Sequence, residues 1–145
     1  MTPDAAKTPW PTLSSKRVYD IPLIIVRENQ IVRPGGEPHS YGVVHYKNIA
    51  VGVLAIEEDH VNLVGHYCYP LGRYSWEIPE SGCPQDEAPL RAAWRELREE
   101  TGLEVEQWQT LGEAHLFNSV ADEYALWFLA TGLLLGSVRP RVSRG

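Results

Sequence analysis

The sequence predicts a mixed α+β domain, and three observations carry that expectation. Short β-branched and apolar runs recur between turn signals. A single stretch has strong helical periodicity. The length, 145 residues, suits one domain that buries about 68–70% of its unfolded surface.

Taken in order, "MTPDAAKTPWPT" carries three prolines and lacks an apolar signal core. Residues 1–17 therefore read as a disordered lead-in rather than a targeting segment. "VYDIPLIIV" (18–26) and "YGVVHY" (41–46), joined through the turn-rich "RPGGEPHS", give two or three antiparallel strands. Residues 18–46 are thus an N-terminal β extension, and 47–145 form the core. "IAVGVLAI" (49–56) and "VNLVGHY" (61–67) flank the acidic turn "EEDH" as a hairpin. "YSWEIPESG" reads as a short strand running into a loop at Pro79. "EAHLF" and "YALWFLA" supply two more strands. The second of these is apolar on both faces, which places it centrally in a covered sheet.

The helix is expected from about Pro89 to Thr101, with Leu90, Ala93, Trp94 and Leu97 at i, i+3, i+4, i+7 on its apolar face. Pro89 suits the first helical position, Gly102 suits the residue past the end, and Ala88 falls where a polar cap is usual.

Composition excludes several classes. Nineteen acidic residues against 13 Lys+Arg leave a net charge of -6, which argues against a nucleic-acid backbone partner. "ALWFLATGLLL" falls short of the ~20 residues of a membrane span, so no membrane is expected and a cytoplasmic location is. Cys68 and Cys83 form no CxxC pair and read as reduced thiols. Tyr67, Tyr69, Tyr74 and Trp76 could stack on a base, although core or interface packing is the commoner use of such spacing. His45, His60, His66 and His115 show no ligand spacing and receive no role.

One stretch is at odds with helix physics. In "RELREETGL" (95–103), Glu96, Glu99 and Glu100 share one narrow arc at about 100° per residue. Glu96 and Glu100 are an i,i+4 like-charge pair, unfavourable by roughly 0.2–0.5 kcal/mol. All three lie at the negative end of the helix dipole, at a cost of about 0.3–1 kcal/mol each. A hard divalent cation reverses that balance. Mg²⁺ takes oxygen ligands from one or two carboxylates, water and substrate phosphate, and it supports water attack on a phosphoryl group.

With its flanks, "SGCPQDEAPLRAAWRELREETGL" resembles the Nudix box, G-x5-E-x7-R-E-U-x-E-E-x-G-U with U aliphatic. Glu87, Arg95, Glu96, Leu97, Glu99, Glu100, Gly102 and Leu103 match; Ser81 stands for the first glycine, with Gly82 beside it. "YGVVHYKNIAVGV", "YPLGRYSWEIPESG" and "HLFNSVADEYALWFLATGL" are similar to segments of the ADP-ribose and ADP-sugar pyrophosphatase branch. The resemblance implies an α/β/α sandwich around a mixed sheet, an N-terminal sheet used in a homodimer, and a nucleoside diphosphate sugar as substrate. It implies hydrolysis to a nucleoside monophosphate and a sugar phosphate with Mg²⁺, or Mn²⁺ in its place.

The same resemblance assigns Glu96 and Glu100 as metal ligands and Glu99 as a further ligand or the residue that positions water. A backbone carbonyl around Glu80 or Ser81 completes the set, Arg95 orients the carboxylates, and Glu87 supports them. Arg73 and Tyr69 are implied substrate contacts. Cys68 stands where the branch commonly has an arginine for phosphate or ribose. The branch's general base lies after the last core strand, but no Asp or Glu follows Glu123 here. Glu99 or Glu123 is the expected substitute, and the core is expected to be incomplete at its C-terminal end. A degenerate, non-catalytic nucleotide-binding module is the alternative reading.

Overall fold

The computed structural model describes residues 8–136. They fall into two compact units. The first runs to Lys47 and takes in Phe117–Glu123; the second holds Asn48–Leu116 and the chain from Tyr124 onward.

The first unit is a three-stranded antiparallel meander, β1 (Thr12–Asp20), β2 (Ile24–Val32) and β3 (Pro38–Tyr46), in the order β1-β2-β3. The sheet begins earlier than the sequence reading places it, because Thr12 to Arg17 pair with β2 inside the segment expected as lead-in. "VYDIPLIIV" is also not one strand. It breaks at Ile21, whose N–H donates to the Ile24 carbonyl at 3.0 Å across a tight turn. Pro22 explains the break, since it has no N–H to give a ladder. Ile25 and Ile31 of the middle strand are buried, whereas β1 is exposed along its whole length. The segment Phe117–Glu123 lies along β3. Val44 N–H donates to the Val120 carbonyl and Asp122 N–H to the Val44 carbonyl. The Asp122 carboxylate accepts the Tyr46 N–H at 2.9 Å and pairs with His45 Nδ1 at 2.6 Å.

The second unit is built on a mixed sheet ordered β5-β4-β10-β9, with β8 also on β4. The strands are β4 (Ile49–Glu57), β5 (His60–Asn62), β8 (Glu80–Cys83), β9 (Leu103–His115) and β10 (Tyr124–Leu135). β10 is central, parallel to β4 and antiparallel to β9, as its two apolar faces predict. A mixed α+β fold is what the sequence leads one to expect. Of the implied sandwich, the described residues supply the sheet and one helical layer.

Two stretches differ from the sequence reading. "ESGC" is a strand rather than a loop, paired from Glu80↔Gly52 to Cys83↔Ile49. "LEVEQWQTLG" carries strand β9 all the way back to the helix, although its polar outward residues hide the alternation.

Register brings Leu126, Phe128 and Ala130 beside Val51, Val53 and Ala55. Helix α1 (Pro89–Thr101) covers that face with Ala92, Ala93 and Leu97, joined in the core by Cys83 and Leu133. The expected stripe is corrected here. Leu90 and Trp94 are exposed and Ala92 is buried, because small side chains let the helix backbone approach the sheet. Trp94 instead lies under the Arg98 guanidinium, 5.1 Å from its ring centroid. On the sheet's other face, Gly52 lies against Trp127; a Cβ there would come within 2.8 Å of the indole.

A separate hairpin, β6 (Val64–Cys68) with β7 (Arg73–Glu77), completes the second unit. Tyr67, Tyr74 and Trp76 are exposed on it, so they are not core residues. Both cysteines are free, Cys83 buried and Cys68 half-buried.

The helix ends follow the sequence. Gly102 closes α1 at φ 73°, its N–H returning to the Arg98 carbonyl at 3.0 Å. Ala88 occupies the N-cap with extended backbone and no side-chain hydrogen bond. Ala88→Ser should therefore stabilise the protein by roughly 0.5–2 kcal/mol, read as a higher urea midpoint at unchanged slope. An unchanged midpoint would mean that these N–H groups gain nothing from a cap.

Candidate active site

The turn between β8 and α1 positions the first carboxylate. Cys83 is buried, and its Sγ–H reaches the Glu87 carbonyl at 3.2 Å. Glu87 N–H closes the turn on the Pro84 carbonyl. Eight residues on, Arg95 reaches back from the helix. Its Nε donates to Glu87 Oε1 at 3.2 Å and its Nη2 to Oε2 at 2.9 Å. Its Nη1 donates to Glu96 Oε2 at 2.8 Å. A planar guanidinium can serve two carboxylates at once in this way, which a lysine cannot. Arg95's hydrogen bonds hold the Glu87 carboxyl below the usual carboxylate range. Glu87, followed by the charges of Glu96 and Glu99, raises the Arg95 pKa in turn.

Leu97, almost wholly buried, fixes the rotation of the helix. Glu100 is thereby carried into a half-buried position. It accepts the backbone N–H of Glu80, yet its Oε2 is buried with no hydrogen-bond partner. Burial first, and then the charge of Glu96, push the Glu100 carboxyl up to about 7.

Ser81 lies in β8 opposite Val51, and it is not among the residues with positive φ. Its replacement of a glycine therefore introduces no backbone strain. Gly82, next to it, is exposed.

The structure brings Glu87, Arg95, Glu96, Glu99 and Glu100 together beside β8. Among the described residues, no three His, Cys, Asp or Glu side chains stand close enough together to hold a metal ion on their own. Glu123 belongs to the first unit, and burial raises its pKa. Arg73 opens β7 opposite Cys68. Tyr69 stands in the hairpin turn, 88% exposed. One residue given no role from the sequence belongs in this neighbourhood. His66 Nε2 lies 3.4 Å from Glu77 Oε2, and its charge favours the ionised form of Glu100. Strand alternation is the signal that finds it, since His66 lies on the face of β6 opposite the exposed Tyr67.

Comparison with known proteins shows the family and the fold. The NUDIX domain model matches residues 46–143. The chain is 32% identical over 130 residues to an ADP-ribose pyrophosphatase of Mycobacterium tuberculosis, covering 88% of this chain and 62% of that protein. It is 30% identical over 123 residues to a methanol dehydrogenase activator of Bacillus methanolicus, covering 84% and 66%. The chain thus spans less than two thirds of the length of these curated relatives. A crystal structure of an ADP compounds hydrolase superposes with a TM-score of 0.83 at 20% identity, over 93% of this chain and 74% of that one. It shares the fold.

The raised Glu100 pKa has a signed consequence in metal-free buffer. The folded chain holds this proton from the ordinary value, 4.5, up to about 7. The stabilisation it contributes is complete below the lower value and is lost as pH rises through the upper one. Glu100→Gln imitates the protonated form, so in EDTA its Tm should gain on the native chain between pH 5 and 8. A Tm difference that stays constant across that range would show that Glu100 titrates normally.

Proposed function

The chain belongs to the NUDIX domain family, and from that premise we propose that it hydrolyses the pyrophosphate bond of ADP-ribose or a related nucleoside diphosphate sugar. The products are AMP and a sugar phosphate, and Mg²⁺ is the cofactor, with Mn²⁺ able to replace it. The relative named as an ADP-ribose pyrophosphatase supports the substrate class.

The single observation that carries the reading is the orphaned, buried Oε2 of Glu100 beside the charge of Glu96. A carboxylate placed so that it resists ionisation, at a helix end that disfavours anions, fits an all-oxygen site for a hard divalent cation. Glu96 and Glu100 would hold that ion with a backbone carbonyl at Glu80 or Ser81, and Glu99 would be either a further ligand or the residue that positions and activates water. When bound, Mg²⁺ supplies Lewis-acid polarisation of a phosphoryl oxygen. The chain's own residues do the rest. Arg95 keeps Glu96 aimed, and Glu87 keeps Arg95 in place. Glu99 takes the proton of the attacking water, with Glu123 as the second candidate. The new P–O bond forms as the anhydride P–O bond breaks, and the leaving phosphate carries the electron pair away. Arg73 and Tyr69 contact the substrate. Homodimerisation through the N-terminal sheet and a cytoplasmic location complete this reading. Among the described residues no helix is long and apolar enough to cross a membrane.

Two measurements test it. Millimolar Mg²⁺ should raise the Tm relative to EDTA, and Glu100→Gln should abolish most of that shift. Equal melts with and without Mg²⁺ would count against a metal site. A panel of nucleoside diphosphate derivatives should show turnover that requires Mg²⁺ and falls by at least about 100-fold in Glu99→Gln, the lower range for a lost general base. Mg²⁺-dependent binding without turnover of any member would favour the non-catalytic module.

A further inference from the structure

The β6–β7 hairpin is two-faced. Register pairs Tyr67 with Tyr74, Gly65 with Trp76, His66 with Ser75 and Cys68 with Arg73. Because paired residues share a face and successive ones alternate, Gly65, Tyr67, Tyr74 and Trp76 lie on one side. These three aromatics are 56%, 58% and 66% exposed. The opposite side carries Val64, His66, Cys68, Arg73, Ser75 and Glu77, all half-buried except Arg73.

That second side includes Glu77, the last residue of β7, three residues before β8 begins at Glu80, the strand on which the carboxylate helix packs. His66 is diagonal to Glu77 across the ladder, Nε2 to Oε2 3.4 Å, with their side chains 36% and 23% exposed. Arg95 is already engaged by Glu87 and Glu96. On the face that holds His66, the groups able to carry positive charge are His66 and Arg73. Cys68, between them on the same face, brings no charge at the position where the family resemblance implies an anion-holding arginine.

We infer that His66 is a substrate contact of the hydrolysis site, an imidazole N–H donor held by Glu77 and presented with Arg73 to the diphosphate oxygens. This rests on the reading that the carboxylate cluster is a diphosphate-hydrolysing metal site. Glu77 orients the ring through one nitrogen and leaves the other for the ligand, as carboxylate-held imidazoles do elsewhere. A residue that sits between metal carboxylates and an anionic ligand has a distinctive signature. Its removal leaves the cation bound at least as well and the anion bound worse.

The test uses the full chain with ADP-ribose for kinetics and its non-hydrolysable α,β-methylene analogue for binding by calorimetry in Mg²⁺. In His66→Ala, KM and the analogue Kd should both rise about tenfold, the scale of one hydrogen bond to a charged group. The kcat should stay within about threefold, as expected for uniform binding. The Tm shift produced by Mg²⁺ should be unchanged or larger. His66→Gln, which keeps an N–H donor, should recover most of the affinity. If His66→Ala does not fold by circular dichroism, His66→Leu fills the space without a donor and gives the same readout. Unchanged analogue affinity in the donor-free variant overturns the role of His66 while leaving the metal site standing. Loss of the Mg²⁺ shift together with affinity also overturns it, since that is a structural effect. Failure of the native chain to bind the analogue removes the hydrolysis reading and this contact with it.

Discussion

Arg95 is hydrogen-bonded through Nε and Nη2 to Glu87 and through Nη1 to Glu96, so one planar cation spans the turn before α1 and the helix itself. The rest of the site depends on that clamp. Glu87 precedes the helix N-cap and Glu96 lies in its second half, so a rigid connection between them fixes the turn relative to the helix. All three donor nitrogens of Arg95 are directed at Glu87 and Glu96, not at Glu100. What remains for Glu100 is a half-buried place beside Glu96, and its carboxyl responds by holding its proton to about pH 7.

The clamp is possible because the helix sits close to the sheet. Ala92, Ala93 and Leu97 face Val51, Val53 and Phe128, and two consecutive alanines remove the bulk that would hold the backbones apart. β8 joins the edge of β4 and buries Cys83 where that strand turns toward the helix. Packing thus sets which way the charged face of the helix is turned.

A carboxylate with an orphaned oxygen lowers stability in exchange for chemistry, a compromise usual at functional sites. The hairpin offers a partial counterweight. His66 lies 3.4 Å from Glu77 and its charge favours the ionised form of Glu100, whereas the aromatic side of the same hairpin is exposed. Two faces of one ladder therefore meet different surroundings, set by the two-residue period of a strand.

The sequence by itself determined the helix, both of its ends and the residues that meet along it. Those features depend on neighbours within one or two turns: Pro89 and Gly102 set the limits, and 3.6-residue periodicity places Arg95, Glu96, Glu99 and Glu100. The central place of β10 was also legible, because a strand apolar on both faces must be covered on both. Tertiary structure decided what local pattern cannot encode. "ESGC" becomes a strand only because β4 offers it an edge, and Leu90 and Trp94 are exposed because the sheet admits alanines more closely. Tyr67, Tyr74 and Trp76 look like core residues until the register of a two-stranded ladder turns them outward. The same register, linking residues about ten positions apart, places His66 against Glu77. No spacing rule within one strand contains that contact, which depends on how two strands pair.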